Sequence, residues 1–131
     1  MARMDGLVAI VTGASRGLGR AIAQEYAREG ATVVICARHQ SPTGLAGTIE
    51  ETTHSIREAG GTVFPVVCDV TDQEQVQDMV HQVVERYGRI DVLFNNAGAM
   101  VLGESILEID PVRWDQLMLV NVRGPYLCSR H

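Results

Sequence analysis

The feature that most constrains this chain is the run Thr12-Gly13-Ala14-Ser15-Arg16-Gly17-Leu18-Gly19, because of what lies on either side of it. Residues 7–12 form a continuous apolar segment closing on Thr12. An apolar run without alternation reads as a strand buried on both faces. Residues 18–29 place Leu18, Ile22 and Tyr26 on one stripe, with Ala23 and Ala27 beside it. That is helical spacing, and Gly30 suits the left-handed position just past a helix. A strand that turns through glycines straight into a helix leaves the first helical N–H groups unpaired, so they and the helix dipole attract an anion. In that turn Gly13 permits the tight bend, Gly17 lets the main chain approach a phosphate group, and Gly19 lets the helix pack close to the sheet. A glycine-rich turn alone also fits an ordinary loop; its place between a buried strand and an amphipathic helix favours the anion site.

The rest of the chain keeps the same alternation. Residues 32–37 (TVVICA) read as a second buried strand. Residues 38–47 are polar and contain Pro42, Gly44 and Gly47, which predicts a loop. Thr48 with Glu51 makes a capping box for a helix running to about Ala59, and Gly60-Gly61 ends it. Residues 62–68 form a third strand, in which Pro65 withholds a ladder donor and is least costly at a sheet edge. Thr71 with Glu74 predicts another capping box, opening a helix with Val76, Met79, Val80, Val83, Val84 and Tyr87 on one face and Gly88 at its end. Residues 90–94 are a fourth strand. Asp110-Pro111 starts a last helix with an N-cap and a proline at the first position, and that helix continues to the end of the sequence. Strands joined by helical crossovers predict an α/β fold: a doubly wound parallel sheet, right-handed, in the order 3-2-1-4.

Composition narrows the function classes. With 131 residues, 46% apolar and 21% charged, the chain is an ordinary globular mixture the size of one modest domain. A net charge of −5 argues against a nucleic-acid partner or an anionic membrane surface. No signal peptide or membrane-spanning run is read, and the expected location is cytoplasmic. Cys36, Cys68 and Cys128 show no C-x-x-C spacing and no histidine at ligand spacing, so they are read as buried free thiols and no metal site is expected.

The glycine run, read as Thr-Gly-x-x-x-Gly-x-Gly, resembles the cofactor motif of the short-chain dehydrogenase/reductase family. Further stations follow in the family's order: Asp69 and Val70 after the third strand, Asn95-Asn96-Ala97-Gly98 after the fourth, and Asn121 within Val120-Asn121-Val122 in the last helix. The resemblance covers essentially the whole chain and implies a single NAD(P)-binding Rossmann domain over residues 1–131, incomplete at its C-terminus. It assigns cofactor binding to Gly13, Ser15, Arg16, Gly17, Leu18, Gly19, Arg38, Asp69, Val70, Asn96, Ala97 and Gly98. Asp69 would meet the adenine; Asn96, Ala97 and Gly98 the ribose; Asn95 would be largely structural. Asn121 would be catalytic, in a local helix break that holds a water for a proton relay. Each residue also has a plainer reading: a surface aspartate, an ordinary turn, a solvent-facing asparagine.

Cofactor preference follows from charge. NAD enzymes place an acid near the end of the second strand for the ribose 2′-hydroxyl. Aligned on Val33-Val34-Ile35, that position is Ala37. Arg38 follows it and Arg16 lies in the glycine loop; guanidinium groups suit a 2′-phosphate, so NADP is favoured over NAD.

The family's active serine and Tyr-x-x-x-Lys motif would lie beyond Asn121. Tyr26, Tyr87 and Tyr126 have Gly30, Asp91 and Arg130 four residues on, so no Tyr-x-x-x-Lys is present. Two functions stay open. One is an NAD(P)-dependent oxidoreductase, passing hydride between nicotinamide and an alcohol or ketone in its full-length form, with these residues alone only binding cofactor. The other is a non-catalytic dinucleotide-binding or subunit-interaction module. The last helix, with Trp114, Leu117, Met118 and Leu119, takes part in subunit contacts in the family, which implies a homo-oligomer.

Overall fold

The structure is a computed structural model describing residues 2–38 and 48–131. The expected loop at 38–47 lies, beyond Arg38, outside the described residues. Strands β1 (Val8–Thr12), β2 (Thr32–Ala37), β3 (Thr62–Val67) and β4 (Val92–Phe94) form one sheet in the order β3-β2-β1-β4. Every pairing is parallel, with Val8 opposite Thr32 and Ala9 opposite Val92. The predicted order and sense are therefore those observed. Pro65 pairs against Ile35 on the edge strand β3, where a missing donor is tolerated.

Strand alternation divides the core. Val8 and Ile10 of β1 and Val34 of β2 face Val76, Met79 and Val83 of helix α3 (Gln73–Tyr87) and Leu127 of helix α5 (Gly124–Arg130). Val11, Val33 and Ile35 face the other way, onto Ala23 of α1 (Gly17–Arg28) and Ile49 and Ile56 of α2 (Ile49–Glu58). Both faces of β1 and β2 are covered, which is why their sequences run apolar without alternation. Cys36, Cys68 and Cys128 lie free and buried in the α3–α5 cluster. Burial raises the Cys128 thiol to about 11.

Three local expectations change. Leu18 is 68% exposed, so the buried stripe of α1 runs through Gly19 and Ala23, with Ile22, Tyr26 and Ala27 partly buried beside it. Val84 leaves the buried face of α3 for the same reason, falling one step past Val83 around the helix. The N-cap of α3 is Asp72, not Thr71: its carboxylate accepts from the N–H groups of Glu74 and Gln75. Thr71 instead donates its hydroxyl to Asp69 Oδ1 at 2.7 Å. The Thr48 cap forms as read, accepting from Glu51 N at 3.1 Å.

The last helix is interrupted. Helix α4 (Pro111–Met118) starts at an Asp110 cap, a π-helical turn follows over Leu119–Arg123, and α5 resumes at Gly124. The Gly124 N–H reaches Leu119 C=O, the five-residue step of a π-turn. A Cβ on Gly124 would sit 2.8 Å from Val70 Cγ2, so glycine lets α5 close against the end of β3. On the α3 face of β3, the Arg86 guanidinium lies 4.7 Å from the Phe64 ring centre and 5.8 Å from that of Tyr87.

Candidate functional site

The C-terminal ends of all four strands open onto one cleft of about 450 Å³. Its walls include Gly13, Ser15, Arg16 and Gly17 after β1, and Ala37 and Arg38 after β2. Asp69 and Val70 follow β3, and Asn96, Ala97 and Gly98 follow β4. Ligands of open parallel sheets bind at this end, beside β1, where the β1–β2 crossover lies on one face of the sheet and the β3–β4 crossover on the other.

The glycine loop is shaped from both sides. Gly13 has φ +66°, and a Cβ there would lie 2.8 Å from Ala97 Cα. A Cβ on Gly19 would run into the Gly13 carbonyl oxygen and Asn96 Nδ2. Gly19 thus brings α1 close to the loop and to the segment after β4, rather than to the sheet itself. Gly17 has φ +59°, while a Cβ there would meet no protein atom within 4 Å. Its glycine is required by the main-chain angle on a side that opens to the cleft. Arg16 stands at the N-cap of α1 without a side-chain cap bond, which leaves the first-turn N–H groups available to an anion.

Polar contacts bind these segments together. Thr12 Oγ1 accepts from both Asn96 N, at 3.0 Å, and Ala97 N, at 2.9 Å. Asn96 Nδ2 donates to Gly13 C=O at 3.1 Å, so this side chain holds the loop, while Asn95 Nδ2 reaches Ser129 Oγ on α5 at 3.3 Å. Both asparagines therefore have structural work; Asn96 also lines the cleft. Asp69 Oδ1 accepts from Thr71 N and Oγ1, an Asx turn that fixes the carboxylate at the cleft wall.

Asn121 lies in the π-turn. Its Oδ1 accepts from Ala99 N at 2.8 Å and its Nδ2 donates to Ala99 C=O at 2.7 Å. Only an amide side chain both gives and accepts in this way, which accounts for asparagine at an exposed helical position. The local helix break implied at Asn121 is present. Val120, not Asn121, lines the cleft; Leu18 and Gly19 are likewise outside its walls, Gly19 shaping them from behind. Cys36, Cys68 and Ala99 line the cleft without having been read as site residues, since small residues at strand ends carry no motif. Among the described residues no group of three or more His, Cys, Asp or Glu is placed to hold a metal. No described helix is long and apolar enough to cross a membrane.

The family model described as short chain dehydrogenase matches residues 7–131. The chain belongs to the short chain dehydrogenase family. It is 43% identical over 129 residues to hydroxysteroid dehydrogenase-like protein 2 of Mus musculus, covering 98% of this chain and 26% of that protein. The Homo sapiens protein of the same name is 40% identical over 129 residues, with 98% of this chain and 31% of the relative covered. Among solved structures, a metagenomic short-chain oxidoreductase in complex with NADP matches with a TM-score of 0.87 at 37% identity, over 97% of this chain and 55% of that one. A short chain dehydrogenase from Mycobacterium smegmatis matches with a TM-score of 0.88 at 33% identity, over 99% and 52%. The chain thus spans about a quarter to a third of these curated relatives and about half of these structures. The family is one of oxidoreductases, and its fold is the doubly wound sheet described above.

Proposed function

We propose that the cleft of this short chain dehydrogenase holds a nicotinamide dinucleotide, NADP in preference to NAD, and that the complete protein oxidises an alcohol or reduces a ketone. The observation that carries the reading is the glycine loop. Gly13 and Gly19 draw it against Ala97 and Asn96, while Gly17 and the uncapped start of α1 face the cleft with main-chain donors. That donor set fits a pyrophosphate. The dinucleotide, when bound, supplies hydride chemistry at its nicotinamide.

The chain's own residues would divide the work by position. Ser15 and Gly17 present the loop to the phosphates, and Leu18 and Gly19 carry it into the first helical turn behind that wall. Asp69 and Val70 flank the adenine, with one Asp69 oxygen already committed to Thr71. Asn96, Ala97 and Gly98 line the ribose. Arg16 and Arg38 both wall the cleft, with half-buried Ala37 in place of an acid, and this supports a 2′-phosphate partner. The metagenomic oxidoreductase bound to NADP is a neighbour in fold. At Asn121 the π-turn releases main-chain groups from their usual helical partners. A released carbonyl suits a water that relays protons, with Asn121 pinning the turn to Ala99.

The face of Met118, Leu119, Val122 and Tyr126 is exposed and apolar, with Met118 at 41% and Tyr126 at 55%. It supports a homo-oligomer through the last helices. A cytoplasmic setting is compatible with three buried cysteines that form no disulfide. Titration with NADPH and NADH, followed by nucleotide fluorescence, tests the cofactor reading. NADPH should bind more tightly; tighter NADH, or no binding of either, overturns it.

A further inference from the structure

The glycine loop is tied to three neighbours. Gly13 N and Ala14 N donate to Cys36 C=O at 2.9 and 3.2 Å, and Asn96 Nδ2 donates to Gly13 C=O at 3.1 Å. These ties hold the first half of the loop and come from segments that carry motifs or strand ends. The third comes from α2, which carries no motif. Thr52 Oγ1 donates to Ser15 C=O at 3.2 Å, and Thr52 is 0% exposed. The same helix is laced to α1 by Gln24 Nε2 on Ser55 Oγ at 2.8 Å and by Arg20 against Glu51 at 3.7 Å. Thr52 therefore sits on a helix face that is itself fixed.

The consequence for the next residue follows from peptide geometry. No cis peptide bond occurs among the described residues. The Ser15–Arg16 peptide is therefore planar and trans, with its C=O and N–H on opposite sides. Holding the Ser15 carbonyl on Thr52 turns the Arg16 N–H away from α2. It also fixes the direction in which the Arg16 side chain leaves the loop. Arg16 is extended there, with φ −158° and ψ 176°, and it walls the cleft.

We infer that Thr52 is a positioning residue for the cofactor loop: it orients the Ser15–Arg16 peptide so that Arg16 addresses the 2′-phosphate end of the dinucleotide. This rests on the NADP reading above and extends it to a helix outside every family motif in the sequence. Thr52→Val keeps the side chain's shape and removes its donor, leaving the Ser15 carbonyl without this partner. Thr52→Ser keeps the donor.

The test is a titration of the full chain, unsubstituted and substituted, with NADPH and with NADH, alongside thermal unfolding. Thr52→Val should weaken NADPH by about three- to tenfold, the scale of one lost hydrogen bond, and NADH by no more than about twofold. Thr52→Ser should restore NADPH binding. A merely structural role would lower the melting temperature and weaken both nucleotides alike. Thr52→Ala, a second variant without the donor, keeps the comparison available should Thr52→Val fold poorly. An unchanged NADPH preference in the donor-less variants, or no rescue by serine, overturns the inference alone. An unsubstituted protein that binds neither nucleotide, or binds NADH as tightly as NADPH, overturns the reading beneath it.

Discussion

The hydroxyl of Thr12, at the end of β1, accepts the main-chain N–H of Ala97 at 2.9 Å, 85 residues further along the chain. It accepts Asn96 N as well, so one oxygen sets the spacing between the glycine loop and the segment after β4. Thr12→Val should leave the Ala97 N–H without an acceptor in a half-buried place, at a cost of about 1–3 kcal/mol, while Asn96 N–H keeps the Phe94 carbonyl at 3.0 Å. Nucleotide binding should weaken together with stability, since the cleft walls lose their spacing. Urea unfolding and NADPH titration of the variant check this, and Thr12→Ser should behave as the unsubstituted chain.

Exchanging charge at the end of β2 should exchange the cofactor. Ala37→Asp with Arg38→Ala adds an acceptor for a ribose 2′-hydroxyl and removes a phosphate partner. A lost charged hydrogen bond corresponds to about 10- to 100-fold in affinity, so NADH should become the tighter ligand. The ratio of the two dissociation constants is the readout, and a preserved NADPH preference refutes the assignment of Arg38.

The start of β4 carries an acid-sensitive tie. The Arg89 guanidinium holds the Asp91 carboxyl below its ordinary value, and the Val8 N–H, at 2.8 Å, holds it lower still. A carboxyl whose pKa is depressed by folding stabilises the fold above its unfolded value, and this is lost as pH falls through the folded one. Asp91→Asn should therefore lower stability near neutral pH and flatten the loss that the unsubstituted chain shows below about pH 4. Denaturant midpoints taken across the acid range will reveal it; parallel curves for the two proteins would count against the tie.

The 131 residues alone should show no steady oxidoreductase turnover, because no Tyr-x-x-x-Lys occurs among them. A positioned acid–base group typically contributes about 10²–10⁴-fold. Continuous NADPH consumption by these residues with a panel of ketones would show that another group does that work.

In isolation the same residues should also associate. β4 pairs only with β1, and its outer edge meets no strand among the described residues. On the last helices, Trp114, Met118, Val122 and Tyr126 are exposed. Open strand edges and apolar patches both recruit further chains. Light scattering behind size exclusion should report species above monomer mass. A cooperatively melting monomer at micromolar concentration would mean that the edge is protected.

The sheet was legible in the sequence because its causes are local and repeated. Apolar runs, crossover helices and Pro65 each restrict the order, and they agree. The cleft was legible because glycines mark main-chain requirements, and Gly13 and Gly17 do adopt positive φ. What escaped depends on choices between near-equivalent groups or on contacts distant in sequence. Thr71 and Asp72 are both good caps, and the outcome turned on Asp69 capturing the Thr71 hydroxyl. Leu18 begins a helix before its buried face is established. The Asn121 pairing with Ala99 and the Thr52 bond to Ser15 span 22 and 37 residues, and neither leaves a periodic trace.

Pro65 gives the two borders of the sheet different chemistry: the edge strand β3 carries a residue that offers no N–H, and the edge strand β4 does not. The β3 strand lacks one donor, while the β4 border keeps its main-chain groups unpaired by any described strand. A proline in the outer strand makes that border the poorer template for another chain, so unwanted pairing is expected first along β4.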